Sequence, residues 1–218
     1  MKGGGGGPDY VLATANPDKA AEIRAILGAE LGRSVSVVPR PPEVGEVEET
    51  GATLEENARL KALALLEATG LASIADDTGL EVDVLGGAPG IYAARYAGPG
   101  ATYADNVSLL LASLDEAGAR SGSSRAARFR TVALCRFPGG AEIVAEGCVE
   151  GQIATAPRGD RGFGYDPVFV PRQGDGRTFA EMSAQEKNTL SHRGRAFRAL
   201  AGELGDAHAA RIGETGAR

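Results

Sequence analysis

The chain has 218 residues, enough for one large α/β domain or two closely joined lobes around a substantial core. Its formal net charge of −6 argues against an enzyme that tracks along nucleic acid, which would present a basic face. The longest apolar runs fall far short of a membrane span, and the start of the chain lacks the hydrophobic centre of a secretory signal.

Met1 to Pro8 is a glycine run and is expected to be a flexible tail. Tyr10 to Ala13 is an apolar run that fits a buried strand, followed by Thr14-Ala15-Asn16-Pro17-Asp18-Lys19. Asn16 suits an N-cap and Pro17 a first helical turn, where its missing N–H is not needed. Ala20, Ile23 and Leu27 then recur at helical spacing. A strand that runs into a helix N-terminus makes a candidate anion site, because the first backbone N–H groups lack partners there. Val35 to Val38 reads as a second strand. Thr53-Leu54-Glu55-Glu56 is a capping box, and the Ala- and Leu-rich run to about Ala68 is a helix with Asn57 and Lys61 on one face. Leu71 to Ala75 is expected to be a buried strand that delivers Asp76 and Asp77 to its C-terminal end, where open α/β sheets commonly bind ligands. Gly86 to Gly90 is a loop, and Thr102 begins a helix with Val107, Leu110, Leu111 and Leu114 on its apolar side.

Arg128 to Phe137 and Glu142 to Val149 form a β-hairpin in this reading, with Ile153 continuing the second strand. A Pro138-Gly139-Gly140-Ala141 turn sets Cys135 opposite Val144 and Cys148 opposite Thr131. The two cysteines are then not paired neighbours, so free thiols in a reducing cytoplasm are expected. Arg158 to Pro167 is Gly-rich and irregular, Val168 to Val170 a strand, and Ser183-Ala184-Gln185-Glu186 another capping box. A helical pattern follows through Phe197 and Leu200, and fraying is expected from about Gly205. Residues 9–204 therefore read as a single domain of two lobes, with a helix-rich first half and a strand-rich second half around a shared sheet.

Two acidic pairs carry the clearest chemistry. Glu48-Glu49 could be surface charge, but Asp76-Asp77 directly follows an apolar strand, where like charges call for a neutralising cation. Grouped carboxylates can hold Mg²⁺ and still act on a water. Thr14 to Lys19 is either an ordinary cap with a solvated lysine or part of an anion site, and it is not a P-loop. An aspartyl-phosphate enzyme would want Asp-x-Asp-x-Thr after the first strand, and this chain has adjacent aspartates on a later one. Gly162-Phe163-Gly164-Tyr165-Asp166-Pro167 is a turn or a base site, with Phe163 placed to stack and Asp166 to accept from a ring N–H. Lys187, His192 and Arg193 lie in a stretch, Arg158 to Arg198, with eight Lys/Arg against five Asp/Glu, which reverses the overall charge and favours anions or an oxygen-rich base edge. Together the parts point to a Mg²⁺-dependent enzyme acting on a nucleotide phosphate. A nucleotide sensor that binds without turnover, and a related enzyme preferring a modified pyrimidine, are the alternatives.

In order, Thr14 to Lys19, Glu49-Thr50-Gly51, Glu56-Asn57-Ala58, Ala75 to Leu80, Val84 to Tyr92, Phe163 to Pro167 and Ser191 to Gly194 resemble the inosine triphosphate pyrophosphatase family, also called dITP/XTP pyrophosphatases. Ala15 departs from the family's usual glycine, and Thr78 replaces the commoner serine while keeping the hydroxyl. The resemblance implies an elongated, two-lobed α/β fold with a long central mixed sheet flanked by helices, a cleft between the lobes, and a cytoplasmic homodimer. It implies hydrolysis of ITP, dITP and XTP to monophosphate and pyrophosphate, which keeps deaminated purines out of DNA and RNA. Asp77, Glu49 and Glu48 would hold Mg²⁺, and Asp77 would orient or deprotonate the attacking water. Lys19, with Thr14, Ala15, Asn16, Pro17 and Asp18, would hold the triphosphate, with Lys61 as a helper. Thr78, Phe163, Gly164, Tyr165, Asp166, Lys187, His192 and Arg193 complete the implied substrate contacts. Neither nucleic acid nor a membrane is implied as a partner.

Overall fold

The structure, a computed structural model, describes residues 9–32 and 36–215, with side chains at 10–32 and 36–206. The Gly-rich start and Val35 lie outside the described residues. In chain order the elements are β1 (Asp9–Leu12), α1 (Pro17–Leu31), β2 (Ser36–Val38), α2 (Leu54–Thr69), β3 (Ala72–Val82), β4 (Pro89–Gly90), α3 (Tyr103–Glu116), β5 (Ala126–Arg136), β6 (Glu142–Ile153), β7 (Phe169–Pro171), α4 (Ala184–Leu190) and α5 (His192–Thr215). The seven strands form one mixed sheet in the order β2-β1-β3-β5-β6-β7, with β4 paired to β3. β1 runs parallel to both β2 and β3, whereas β4 and β7 run antiparallel to their neighbours β3 and β6. Among the described residues no helix is long and apolar enough to cross a membrane.

The chain divides into two compact units, and the division does not follow the two halves of the sequence. The first unit takes residues 1–76, 132–146 and 196–218, and the second takes 77–131 and 147–195. In the first, Leu12, Ile23, Leu27 and Ile74 pack with Phe197 and Leu200 of α5. In the second, Leu80, Leu110 and Leu114 pack with an aromatic group of Phe129, Phe169 and Phe179. Each core buries the apolar stripe of its helices on the sheet strands that belong to it, the packing on which helices depend in water.

Local chemistry explains where most of the helices begin. Asn16 caps α1 with Pro17 in the first turn, and reciprocal capping boxes open α2 (Thr53 with Glu56), α3 (Thr102 with Asp105) and α4 (Ser183 with Glu186). Gly70, in the left-handed region at φ 72°, closes α2. Ser191 ends α4, and its hydroxyl accepts from Gly194 N at 3.0 Å, so α5 starts at once and carries His192 and Arg193 in its first turn.

Three expectations change. β3 does not stop at Ala75: Asp76 and Asp77 are the fifth and sixth of its eleven residues, because Thr78, Leu80 and Val82 continue an alternating pattern and β4 pairs at Leu80 and Glu81. The hairpin turn is closed by Phe137 N on the Ala141 carbonyl and Gly140 N on the Phe137 carbonyl, which shifts the expected cross-strand register by one residue. The thiols nevertheless stay free, Cys135 buried and Cys148 exposed. Finally, α5 continues through Gly205 to Thr215, where the composition alone suggested a frayed tail.

Candidate functional site

In the first unit, β1 runs into the loop Thr14-Ala15-Asn16 and then α1. The Asn16 side chain accepts from Asp18 N at 2.9 Å and Lys19 N at 3.1 Å, so the chain itself caps these two N–H groups of the helix. Asn16 thus takes the N-cap role its sequence position offers, and the Lys19 side chain adds a cation at this helix start. Its ammonium lies 3.5 Å from Asp76, a carboxylate only 2 % exposed. Ala15 is exposed, and among the described residues none other than glycine has a positive φ, so a methyl here meets no backbone strain. Arg40 ties the loop down: one guanidinium nitrogen donates to the Ala13 carbonyl at 2.9 Å and another to Val44 at 3.0 Å and to Gly45. A cavity of about 470 Å³ opens here, lined by Thr14, Ala15 and Asn16 on one side and Arg24, Arg40 and Glu46 on another.

The acidic segment after Arg40 is hooked onto α2. Gly51 N donates to the buried Asn57 side chain at 2.8 Å, and a β-carbon on Gly51 would stand 2.6 Å from that of Glu56. This close approach is why the position takes glycine. It brings Glu49 to Lys61, one helical turn beyond Asn57, at 3.0 Å. Glu48 is exposed, so the structure separates the pair that the sequence presented as one. Asp77, 4 % exposed, opens the second unit. As consecutive residues of an extended strand, Asp76 and Asp77 point to opposite faces of β3.

Among the described residues, no three His, Cys, Asp or Glu side chains converge as a ready cluster for a metal. The buried Asp77 and the half-buried Glu49 each carry the hard carboxylate oxygens that Mg²⁺ takes.

The second unit builds an aromatic and cationic site on the Gly162–Pro167 turn. Asp166 is buried and accepts from Phe163 N at 2.8 Å and from the buried Lys187 ammonium. Gly162, at φ 71°, has no room for a β-carbon beside the Asp166 carboxylate. The turn thus presents the half-buried Phe163 ring, with Lys187 Nζ 4.6 Å and the Arg193 guanidinium 5.5 Å from its centroid. Arg193 is 2 % exposed and donates to Thr78 Oγ1 at 3.2 Å, while Thr78 and Thr131 hydroxyls meet at 2.7 Å. Tyr103 lies on Phe163 with ring centroids 5.9 Å apart.

The structure thus brings Thr78, Phe163, Asp166, Lys187 and Arg193 together, with Gly164 half-buried in the same turn. His192 and Tyr165 belong to the packing around that site. The imidazole stacks on Phe129 at 4.3 Å, and the Tyr165 hydroxyl donates to the Ala93 carbonyl at 2.9 Å. Burial pushes the Tyr165 phenol well above its ordinary range, so it stays neutral. Pro17 and Asp18 are exposed on the first turn of α1. Sequence reasoning missed Arg40, Thr131 and Tyr103. Only Arg40 left a trace, as a lone cation within Pro39-Arg40-Pro41-Pro42.

One unit carries lysine–carboxylate pairs, chemistry that suits anionic groups, and the other a cation-flanked aromatic ring, chemistry that suits a planar group. Comparison with known proteins makes the class definite. A profile of the Ham1 family matches residues 10–203, and the chain belongs to that family. It is 50 % identical over 192 residues to a dITP/XTP pyrophosphatase of Streptomyces avermitilis, covering 87 % of this chain and 94 % of that protein. It is likewise 50 % identical over 196 residues to a dITP/XTP pyrophosphatase of Nitratidesulfovibrio vulgaris, covering 87 % and 92 % of the two chains. Among solved structures it resembles a HAM1 protein from Coxiella burnetii, with a TM-score of 0.81 and 39 % identity over 91 % of this chain and 99 % of that one.

Proposed function

We propose that this protein hydrolyses nonstandard purine nucleoside triphosphates, XTP, dITP and ITP, to the monophosphate and pyrophosphate. The observation that carries the base assignment is the Phe163 ring flanked by the Lys187 and Arg193 cations. Stacking on a flat ring accepts any base, whereas side chains that only donate favour a base with an oxygen at position 6. Adenine carries an amino donor at that place, and a donor facing a donor in a buried site is strongly disfavoured. The relatives named above, dITP/XTP pyrophosphatases at 50 % identity, support the same reaction.

In this reading Lys19, Lys61 and the Thr14–Asp18 loop meet the triphosphate, and the ammonium groups offset its charge. Asp77, Glu49 and Glu48 are the residues that would hold Mg²⁺. When bound, that cation supplies positive charge against the phosphates and the leaving pyrophosphate. Asp77 takes the proton of a water whose oxygen bonds to the α-phosphorus as the α–β bridging bond breaks and its electron pair leaves with pyrophosphate. The proposal further includes a cytoplasmic homodimer that keeps deaminated purines out of DNA and RNA.

The test is product analysis with XTP, dITP, ITP, GTP and ATP in the presence of Mg²⁺. Pyrophosphate is expected from the first three and little from ATP. Inorganic phosphate as the product, or equal cleavage of all five, would defeat the proposal. Binding without cleavage would turn the reading into that of a nucleotide sensor.

A further inference from the structure

Tyr103 opens α3 and is 41 % exposed, one of few large apolar side chains on the surface. Its ring is not spread on the helix but leans on Phe163, at 5.9 Å between centroids and 40° between planes. The two cations near Phe163 sit on buried side chains, Lys187 bonded to Asp166 and Arg193 to Thr78. Tyr103 is therefore the exposed member of the group around that ring. Its backbone is fixed, because Thr102 N and the Thr102 hydroxyl donate to Asp105 at 2.8 and 2.7 Å while Asp105 N donates back to Thr102 at 3.2 Å. The Thr102 hydroxyl, then its N–H, hold the Asp105 carboxyl below the usual carboxylate range, so this cap persists at neutral pH.

A base stacked between two aromatic rings needs about 7 Å between them, two contacts of about 3.5 Å each. The present pair, at 5.9 Å and tilted, falls about 1 Å short of that gap. A turn of the Tyr103 side chain, with no backbone change, would make up the difference. We propose that Tyr103 is a second aromatic contact for the nucleotide base, trading its contact with Phe163 for a stack on the base, and so a further substrate-binding residue of this chain. This rests on the reading of Phe163 as a base platform.

The chain has no Trp, so Tyr103→Trp introduces a single indole at the proposed contact. Titrated with inosine and xanthosine monophosphates, that variant is expected to show saturable quenching, and none with tripolyphosphate, which lacks a base. In kinetics with XTP, Tyr103→Ala should raise KM about tenfold with kcat within about twofold, and Tyr103→Phe should hold KM within about twofold. An unchanged KM in Tyr103→Ala, no quenching by the monophosphates in Tyr103→Trp, or equal quenching by tripolyphosphate overturns the inference. If the wild type cleaves no nucleotide at all, the proposed reaction fails separately, and the quenching titration alone decides whether Tyr103 meets a base.

Discussion

Single residues fix the geometry on which the rest depends. Gly51 sits against Glu56 and Asn57 so closely that an added methyl has nowhere to go, and the hook it forms positions Glu49 beside Lys61. Gly51→Ala is expected to cost about 1–3 kcal/mol in urea unfolding and to weaken activity with it. Stability and activity equal to wild type would show that the hook is not needed. The two cysteines offer a second check at this scale. Burial pushes the Cys135 thiol up to about 12, whereas Cys148 is exposed on β6. A thiol-specific chromogenic reagent at mildly alkaline pH should therefore titrate one thiol in the native protein and a second only after unfolding. Two rapidly reacting native thiols would contradict the packing around Cys135.

At the scale of elements, caps decide where helices begin and hence where side chains are delivered. Glu186 closes the box that opens α4, the helix carrying Lys187, and also pairs with Arg177 at 2.8 Å. The Arg177 hydrogen bond, then the Ser183 N–H and hydroxyl, hold the Glu186 carboxyl down to about 2 from an ordinary 4.5. With the folded value depressed, the stabilisation is present above pH 4.5 and is lost as pH falls towards 2. Glu186→Gln should lower the melting temperature at neutral pH and converge with wild type as the pH drops through that window. A constant difference at every pH would mean that the charge is not what stabilises the cap. Such caps were readable in the sequence because Thr53-x-x-Glu56 and Ser183-x-x-Glu186 are short-range patterns with a local mechanism. The end of β3 was not readable. Two aspartates followed by Thr-Gly look like a strand terminus, and it is pairing with β4 at Leu80 and Glu81, with β5 as a further neighbour in the sheet, that carries the strand on to Val82. The hairpin register slipped by one for a similar reason, since the closing bond begins at Phe137 rather than inside the Pro-Gly-Gly turn.

At the scale of the molecule, the chain passes between its two compact units at Asp76/Asp77, Thr131/Val132, Glu146/Gly147 and Arg195/Ala196. No composition shift marks these points: on β3 the change falls between two identical residues, Asp76 and Asp77, within one continuous strand. The sequence motifs named the candidate site residues one at a time. What they could not supply was grouping. Lys19 pairs with Asp76 and Glu49 with Lys61, whereas Phe163 gathers Lys187, Arg193 and the unmarked Tyr103. The account rests most heavily on Asp77, the buried carboxylate to which the chemical step is assigned. The most direct measurement is pyrophosphate release from XTP by wild type and Asp77→Asn, each checked for an unaltered circular dichroism spectrum. A fall of at least about a hundredfold in the variant, with wild type releasing pyrophosphate, is the predicted result. A folded Asp77→Asn variant that keeps wild-type turnover would contradict it.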